Sequence, residues 1–180
     1  GRSVAISSNG LIIAVGAPYY SFPKTQQGQV RIFENINNEW IQKGNDIFGN
    51  NERNLSEKVS LSDDGNFVAI GAVGYVHIYK YQNSSWVQVG NDIETNGESE
   101  VSISGDGSII AIGDWRSNNG ETNGGEIKVY ELNTTNEWVQ KGDSIFGNSG
   151  EEIGHDIKIS NNGKILSFAS PISDRGGNRS

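Results

Sequence analysis

The chain has 180 residues, 34% of them hydrophobic and only 20% charged, with a formal net charge of −8 and a pI of about 4.7. Its 14 basic residues are scattered without a basic run, which excludes a phosphate-neutralising nucleic-acid groove and disfavours an anionic membrane surface. The lack of cysteine excludes disulfides and thiolate metal sites, and no apolar stretch approaches the roughly 20 residues of a spanning helix, so no membrane insertion is expected.

The chain opens at Gly1 to Val4 already inside a repeat, and so reads as a fragment of something longer. Residues 3–8 form a first predicted strand, A, and residues 11–16 a second, B, joined at Asn9-Gly10. An insertion follows from Tyr19 to Gln27, carrying Tyr19, Tyr20 and Phe22. Strand C is predicted at 29–34 and strand D at 40–44, opening on Trp40. The pattern then recurs. Strands A and B return around Asp64-Gly65, with C at 75–80 and D at 86–90 behind Trp86. They return again around Asp106-Gly107, with C at 126–131 and D at 138–142 behind Trp138. A fourth copy around Asn162-Gly163 stops after strand B.

The A strands alternate, with Val4 and Ile6, Val59 and Leu61, Val101 and Ile103, and Ile157 and Ile159 on one face. The B strands are nearly continuous in apolar residues, as for strands covered on both faces. The Asn-Gly and Asp-Gly pairs between them predict type I′ hairpin turns. Each repeat thus supplies four antiparallel strands that cannot bury both faces alone, so repeats must stack. The predicted fold class is all-β, a β-propeller of four-stranded antiparallel blades with about three and a half repeats present. One domain, 1–180, holds blades at 3–49, 58–95 and 100–147 and a partial blade at 156–180. Three and a half blades do not close a ring, so contacts to further repeats of a parent chain or to other copies are expected.

The repeat around Gly16-Ala17-Pro18, with Gln29 to Phe33 after it, resembles the FG-GAP class of propeller repeats found in integrin α-chains and microbial surface proteins. The motif is intact only there; Gly71-Ala72-Val73, Gly113-Asp114-Trp115 and Ala169-Ser170-Pro171 stand in its place elsewhere. The calcium-binding version of that family carries several alternating Asp residues in the A–B loop, and this chain has at most Asp63-Asp64. Calcium is therefore not implied, and no cofactor is expected.

The repeats differ in length where B–C and D–A connections fall, and these emerge on one face of an antiparallel blade. Loops on a rigid scaffold commonly carry binding. The long B–C loop of the third repeat holds Trp115, Arg116, Asn118 and Asn119, an aromatic beside a guanidinium and amides that suits a sugar or peptide. With Tyr19, Tyr20 and Phe22 these are the candidate ligand contacts. The recurring Trp40, Trp86 and Trp138 read instead as packing between blades. Two histidines, His77 and His155, make no zinc site, and Glu94, Glu98 and Glu100 with Glu151, Glu152 and Asp156 read as an acidic rim. No nucleophile elbow, phosphate loop or metal motif is present. The sequence therefore points to a non-enzymatic recognition module of an extracellular or cell-surface protein, binding glycan or protein through the B–C and D–A face. A structural repeat in an extracellular filament is the first alternative. A carbohydrate-active enzyme, with carboxylates such as Glu151 and Glu152, is the second.

Overall fold

The computed structural model describes residues 1–21, 27–49 and 58–171. They form three five-stranded sheets and a two-stranded one, all antiparallel. The first sheet contains β1 (Ser3–Ile6), β2 (Ile12–Ala17), β3 (Gln29–Ile36), β4 (Glu39–Gln42) and β5 (Ile47–Phe48). The second contains β6 (Lys58–Leu61), β7 (Phe67–Gly71), β8 (Val73–Gln82), β9 (Ser85–Gln88) and β10 (Ile93–Glu98). The third contains β11 (Glu100–Ile103), β12 (Ile109–Asp114), β13 (Glu126–Leu132), β14 (Trp138–Gln140) and β15 (Ile145–Phe146). The last pairs β16 (Asp156–Ile159) with β17 (Leu166–Ala169). The architecture is all-β and propeller-like.

Each full blade carries a fifth strand beyond the predicted D strand. Gly44, Gly90 and Gly142 have φ of 77°, 71° and 77°, a left-handed conformation that breaks the extended run. The chain then returns to the same partner, so β4 and β5 both pair with β3, β9 and β10 with β8, and β14 and β15 with β13.

The A–B turns also differ from expectation. In each, only the glycine has positive φ, and its N–H donates to the serine three residues earlier, as from Gly10 to Ser7 and from Gly107 to Ser104. This is a type I turn closed by a left-handed glycine, not type I′. Side chains favour it: Asp106 Oδ1 accepts from Ser104 Oγ at 2.7 Å, Ser108 N at 2.9 Å and Ser108 Oγ at 2.7 Å. Type I′-like pairs occur instead at the C–D turns Asn37-Asn38 and Asn83-Ser84, where both residues have positive φ.

Partial burial works to raise the Asp106 carboxyl, but the hydrogen bonds from Ser108 and Ser104 outweigh it and hold it below its usual value. Because the folded value is depressed, its stabilisation is full above the unfolded value and is lost as pH falls through the folded one. Asp106→Ala is expected to cost about 1 kcal/mol at neutral pH. Thermal melts should show the gap from wild type closing in acid.

Apolar residues gather between successive sheets, not within one. Ile12, Ala14, Val30 and Ile32 of the first sheet meet Val68, Ile70 and Trp86 of the second. Ala69, Val76 and Ile78 meet Val101, Ile110 and Ile112 of the third. Ala111 and Ile127 meet Ile157 of the fourth. The middle strands β7 and β12 are buried along their whole length, whereas β2 and β17 keep a more open face. The indole N–H groups tie blades together: Trp86 Nε1 donates to the Lys43 carbonyl at 2.7 Å and Trp138 Nε1 to the Val89 carbonyl at 3.0 Å.

Candidate functional site

The B–C and D–A connections leave the blades at equivalent ends, so Tyr20, after β2, and Trp115, after β12, lie at the same end of their respective blades. Two neighbouring depressions open there. The inner one, about 180 Å³, is lined by Arg2, Lys58, Glu98, Glu100, Trp115 and His155. Lys58, Glu100 and, beyond the lining, Asp156 open their A strands here, so strand starts from successive blades converge on it. Lys58 Nζ lies 2.5 Å from Glu100 Oε2. Two groups lie against the Trp115 ring: His155 stacks on it at 4.3 Å and the Arg116 guanidinium lies 4.3 Å from its centroid.

The outer depression, about 220 Å³, lies between the second and third blades. β10 contributes Glu94, Thr95 and Asn96, and β12 and β13 contribute Asp114, Glu126 and Lys128, with Asn119 above them. Strand register sets Asp114 directly opposite Glu126. Both residues are buried, at 5% and 3% exposure. Like charges opposed across an antiparallel pair destabilise, so each carboxylate needs its own surroundings.

Those surroundings differ. Glu126 accepts from Asn119 Nδ2 at 2.8 Å and Ser117 Oγ at 3.1 Å, and pairs with Lys128 Nζ at 3.0 Å. Burial works to raise its carboxyl, but the hydrogen bonds from Lys128, Ser144 and Asn119 hold it below the usual value. Asp114 accepts the Asn96 backbone N–H at Oδ2, 2.6 Å away, while its buried Oδ1 has no hydrogen-bond partner among the described residues. Burial pushes the Asp114 carboxyl up, the Glu126 charge adds to this, and the hydrogen bonds from Asn96 and the Arg116 backbone do not offset it. Two adjacent carboxyls are thus driven apart in proton affinity, the arrangement that separates acid and base roles.

The sequence candidates fall into different places. Asn119 joins the outer cleft, and Trp115 with Arg116 the rim of the inner one. Asn118 Oδ1 accepts from Asn123 N at 2.8 Å and pins its own loop. Tyr19 is exposed and accepts from Arg2 Nη1 at 2.7 Å, while Tyr20 stacks on Phe48 at 6.2 Å. Phe22 lies outside the described residues. Glu151 accepts from Asn148 N at 2.8 Å, and Glu152 lies 3.3 Å from His155 Nε2, so both serve the D–A loop. Asp114 and Glu126 escaped sequence reading. Their opposition arises only once the loop between them closes and the N–H of Asn96 arrives from the preceding repeat. Among the described residues, no three or more His, Asp or Glu side chains gather closely enough to hold a metal ion.

No family model and no curated protein matches the chain by sequence. Solved structures do match in fold. A protein described as a 6-phosphogluconolactonase from Bacteroides uniformis aligns with a TM-score of 0.62 at 16% identity, over 94% of this chain and 47% of its own. The periplasmic gluconolactonase PpgL of Pseudomonas aeruginosa aligns with a TM-score of 0.63 at 14% identity, over 94% and 50%. Sqt1 of Saccharomyces cerevisiae aligns at 0.58 and 12%, over 87% and 38%. The chain therefore spans half or less of the length of these neighbours, and at such identities they show the fold alone.

Two of these neighbours carry enzyme names, and this corrects the expectation of a non-enzymatic recognition module. That expectation rested on the absence of contiguous catalytic motifs. Strand register can bring side chains that are apart in sequence directly opposite one another without any contiguous motif, as it does Asp114 and Glu126.

Proposed function

We propose that the chain is part of a propeller hydrolase acting on a sugar lactone, with the cleft between the second and third blades as its reaction site. The observation that carries the reading is the pair of buried carboxyls with opposite shifts, Asp114 raised and Glu126 lowered. The names of the two lactonase neighbours supply the substrate class. Completion of the blades into a closed ring belongs to the same proposal, as does the FG-GAP kinship suggested by Gly16-Ala17-Pro18.

In this reading Asp114 is the general base. A raised carboxyl is a stronger base than an ordinary one, and Oδ1 has no hydrogen-bond partner among the described residues. Asp114 takes a proton from a water whose oxygen attacks the lactone carbonyl carbon. The Asn119 amide or the Lys128 ammonium donates to the carbonyl oxygen as it gains charge. The ring C–O bond then breaks, and the departing oxygen takes the proton back from Asp114, giving the open hydroxy acid. Glu126 stays ionised and positions both Lys128 and Asn119.

The charge of the cleft favours a neutral lactone over a phosphorylated one. Glu94, Asp114 and Glu126 line it, and Lys128 is engaged by Glu126. In a pH-stat assay with D-glucono-δ-lactone and 6-phosphogluconolactone, the wild type is expected to exceed the spontaneous rate and prefer the neutral substrate. Asp114→Asn should lose about 10²–10⁴-fold of that acceleration. No acceleration, or equal turnover by the variant, would overturn the reading.

A further inference from the structure

The loop between β12 and β13 carries two asparagine–glycine steps, Asn119-Gly120 and Asn123-Gly124. Further steps of this kind stand at Asn9-Gly10, Asn96-Gly97 and Asn162-Gly163. Such a step can modify itself, because glycine has no Cβ to obstruct attack of its backbone nitrogen on the asparagine Cγ. The attack needs a glycine N–H free of a competing hydrogen bond and an asparagine amide able to turn toward it.

Four of these steps are held back. Gly10 N–H donates to the Ser7 carbonyl at 3.0 Å, Gly163 N–H to the Ser160 carbonyl at 2.8 Å and Gly124 N–H to the Glu121 carbonyl at 2.9 Å. The side chains of Asn9 and Asn162 are also fixed, since Oδ1 of each accepts a serine hydroxyl and a backbone N–H. Gly97 is buried within β10. Asn119-Gly120 differs from all of these. Both residues are exposed, and the Gly120 N–H has no hydrogen-bond partner among the described residues. The Asn119 amide is tethered from one end, by Nδ2 donating to Glu126 Oε2 at 2.8 Å.

We infer that Asn119 is a spontaneous deamidation site whose conversion changes the charge of the outer cleft. The Gly120 nitrogen bonds to Asn119 Cγ, the Cγ–Nδ2 bond breaks, and ammonia leaves with the proton that Gly120 gives up. Water then opens the cyclic imide at either carbonyl. One opening leaves aspartate; the other leaves isoaspartate, with an extra methylene in the backbone. In both products the group that donated to Glu126 has become a carboxylate facing it, in a cleft that Glu94 and Asp114 already line. Like charges so placed oppose ionisation of one another.

Ageing the whole chain in mildly alkaline buffer, followed by peptide mapping with tandem mass spectrometry, tests this. Cleavage after Arg116 and Lys128 releases Asn118, Asn119 and Asn123 in one peptide, so the competing sites are read side by side. Asn119 is expected to gain one mass unit about tenfold faster than Asn118 or Asn123, and Gly120→Ala should slow that gain about tenfold. The added Cβ would lie nearest the half-exposed Phe146 side chain, which has room to move. Asn119→Asp should melt below the wild type at neutral pH. Beside ionised Glu126 the new carboxyl holds its proton more tightly in the folded chain, so the cost shrinks as pH falls and the melting curves converge in acid. Equal conversion of Asn119 and Asn123, or an unchanged neutral melt for Asn119→Asp, would overturn the inference. Loss of lactone acceleration on ageing rests in addition on the reaction proposed for this cleft. Full conversion of Asn119 with that rate retained would leave the deamidation site standing and remove the cleft as the reaction site.

Discussion

Trp86→Ala is expected to lower stability by about 3–5 kcal/mol, whereas Trp40→Ala, at the same repeat position, should stay within about 0.5 kcal/mol of wild type. The residues share a strand position but not an environment. Trp86 is 4% exposed, donates Nε1–H to the Lys43 carbonyl and donates its backbone N–H to Asn45 Oδ1 at 2.8 Å. Its ring lies on Gly44, where an added Cβ would come within 2.9 Å of Cδ1. Truncation would open a large cavity between the first two blades and leave the Lys43 carbonyl without its donor. Trp40 is 47% exposed and has no preceding blade among the described residues. Trp138, half-buried on Gly90 with one indole bond, should fall between them. For a chain of this size about 3–5 kcal/mol corresponds to roughly 10 °C in Tm. Equal losses at Trp40 and Trp86 would show that intrinsic strand preference, not the socket in the adjacent blade, governs the position.

The same contrast marks how far the sequence could be read. Spacing of the turn glycines and alternation of Val and Ile revealed four hairpins, because period and turn chemistry are local. Recurring tryptophans pointed to inter-blade packing, which Trp86 and Trp138 perform. The strand beyond each D strand is not legible in the sequence, because Ile47-Phe48 and Ile145-Phe146 are too short to show a period. The A–B turns were assigned type I′ on the Asn-Gly pair alone. The neighbouring Ser7 decides otherwise, since its Oγ accepts the Ile12 N–H and donates to Asn9 Oδ1. The cleft was the least legible part. Its residues come from β10, β12 and β13 of two repeats, and the opposition of Asp114 to Glu126 depends on register across a loop. The aromatic of that loop, Trp115, attracted the reading, while the carboxylate before it holds the unusual environment.

Asp114→Asn is expected to gain stability at neutral pH while losing about 10²–10⁴-fold in lactone hydrolysis. Within the fold, burial foremost and the charge of Glu126 in addition disfavour the ionised Asp114 carboxyl. The folded chain therefore holds this proton more tightly than the unfolded chain. Above the folded value the ionised group lowers stability; that cost shrinks as pH falls through the folded value and is gone below the unfolded one. Asparagine removes the cost at every pH and keeps a carbonyl oxygen for the Asn96 N–H. The gain should be about 1 kcal/mol at pH 7 and should vanish in acid, seen as Tm curves that converge on acidification. A carboxylate present only to anchor β10 to the B–C loop behaves in the opposite way. Its replacement weakens a charge-assisted hydrogen bond, so the variant would be less stable at pH 7, and the melts would separate a scaffold role from a reactive one before any substrate is added.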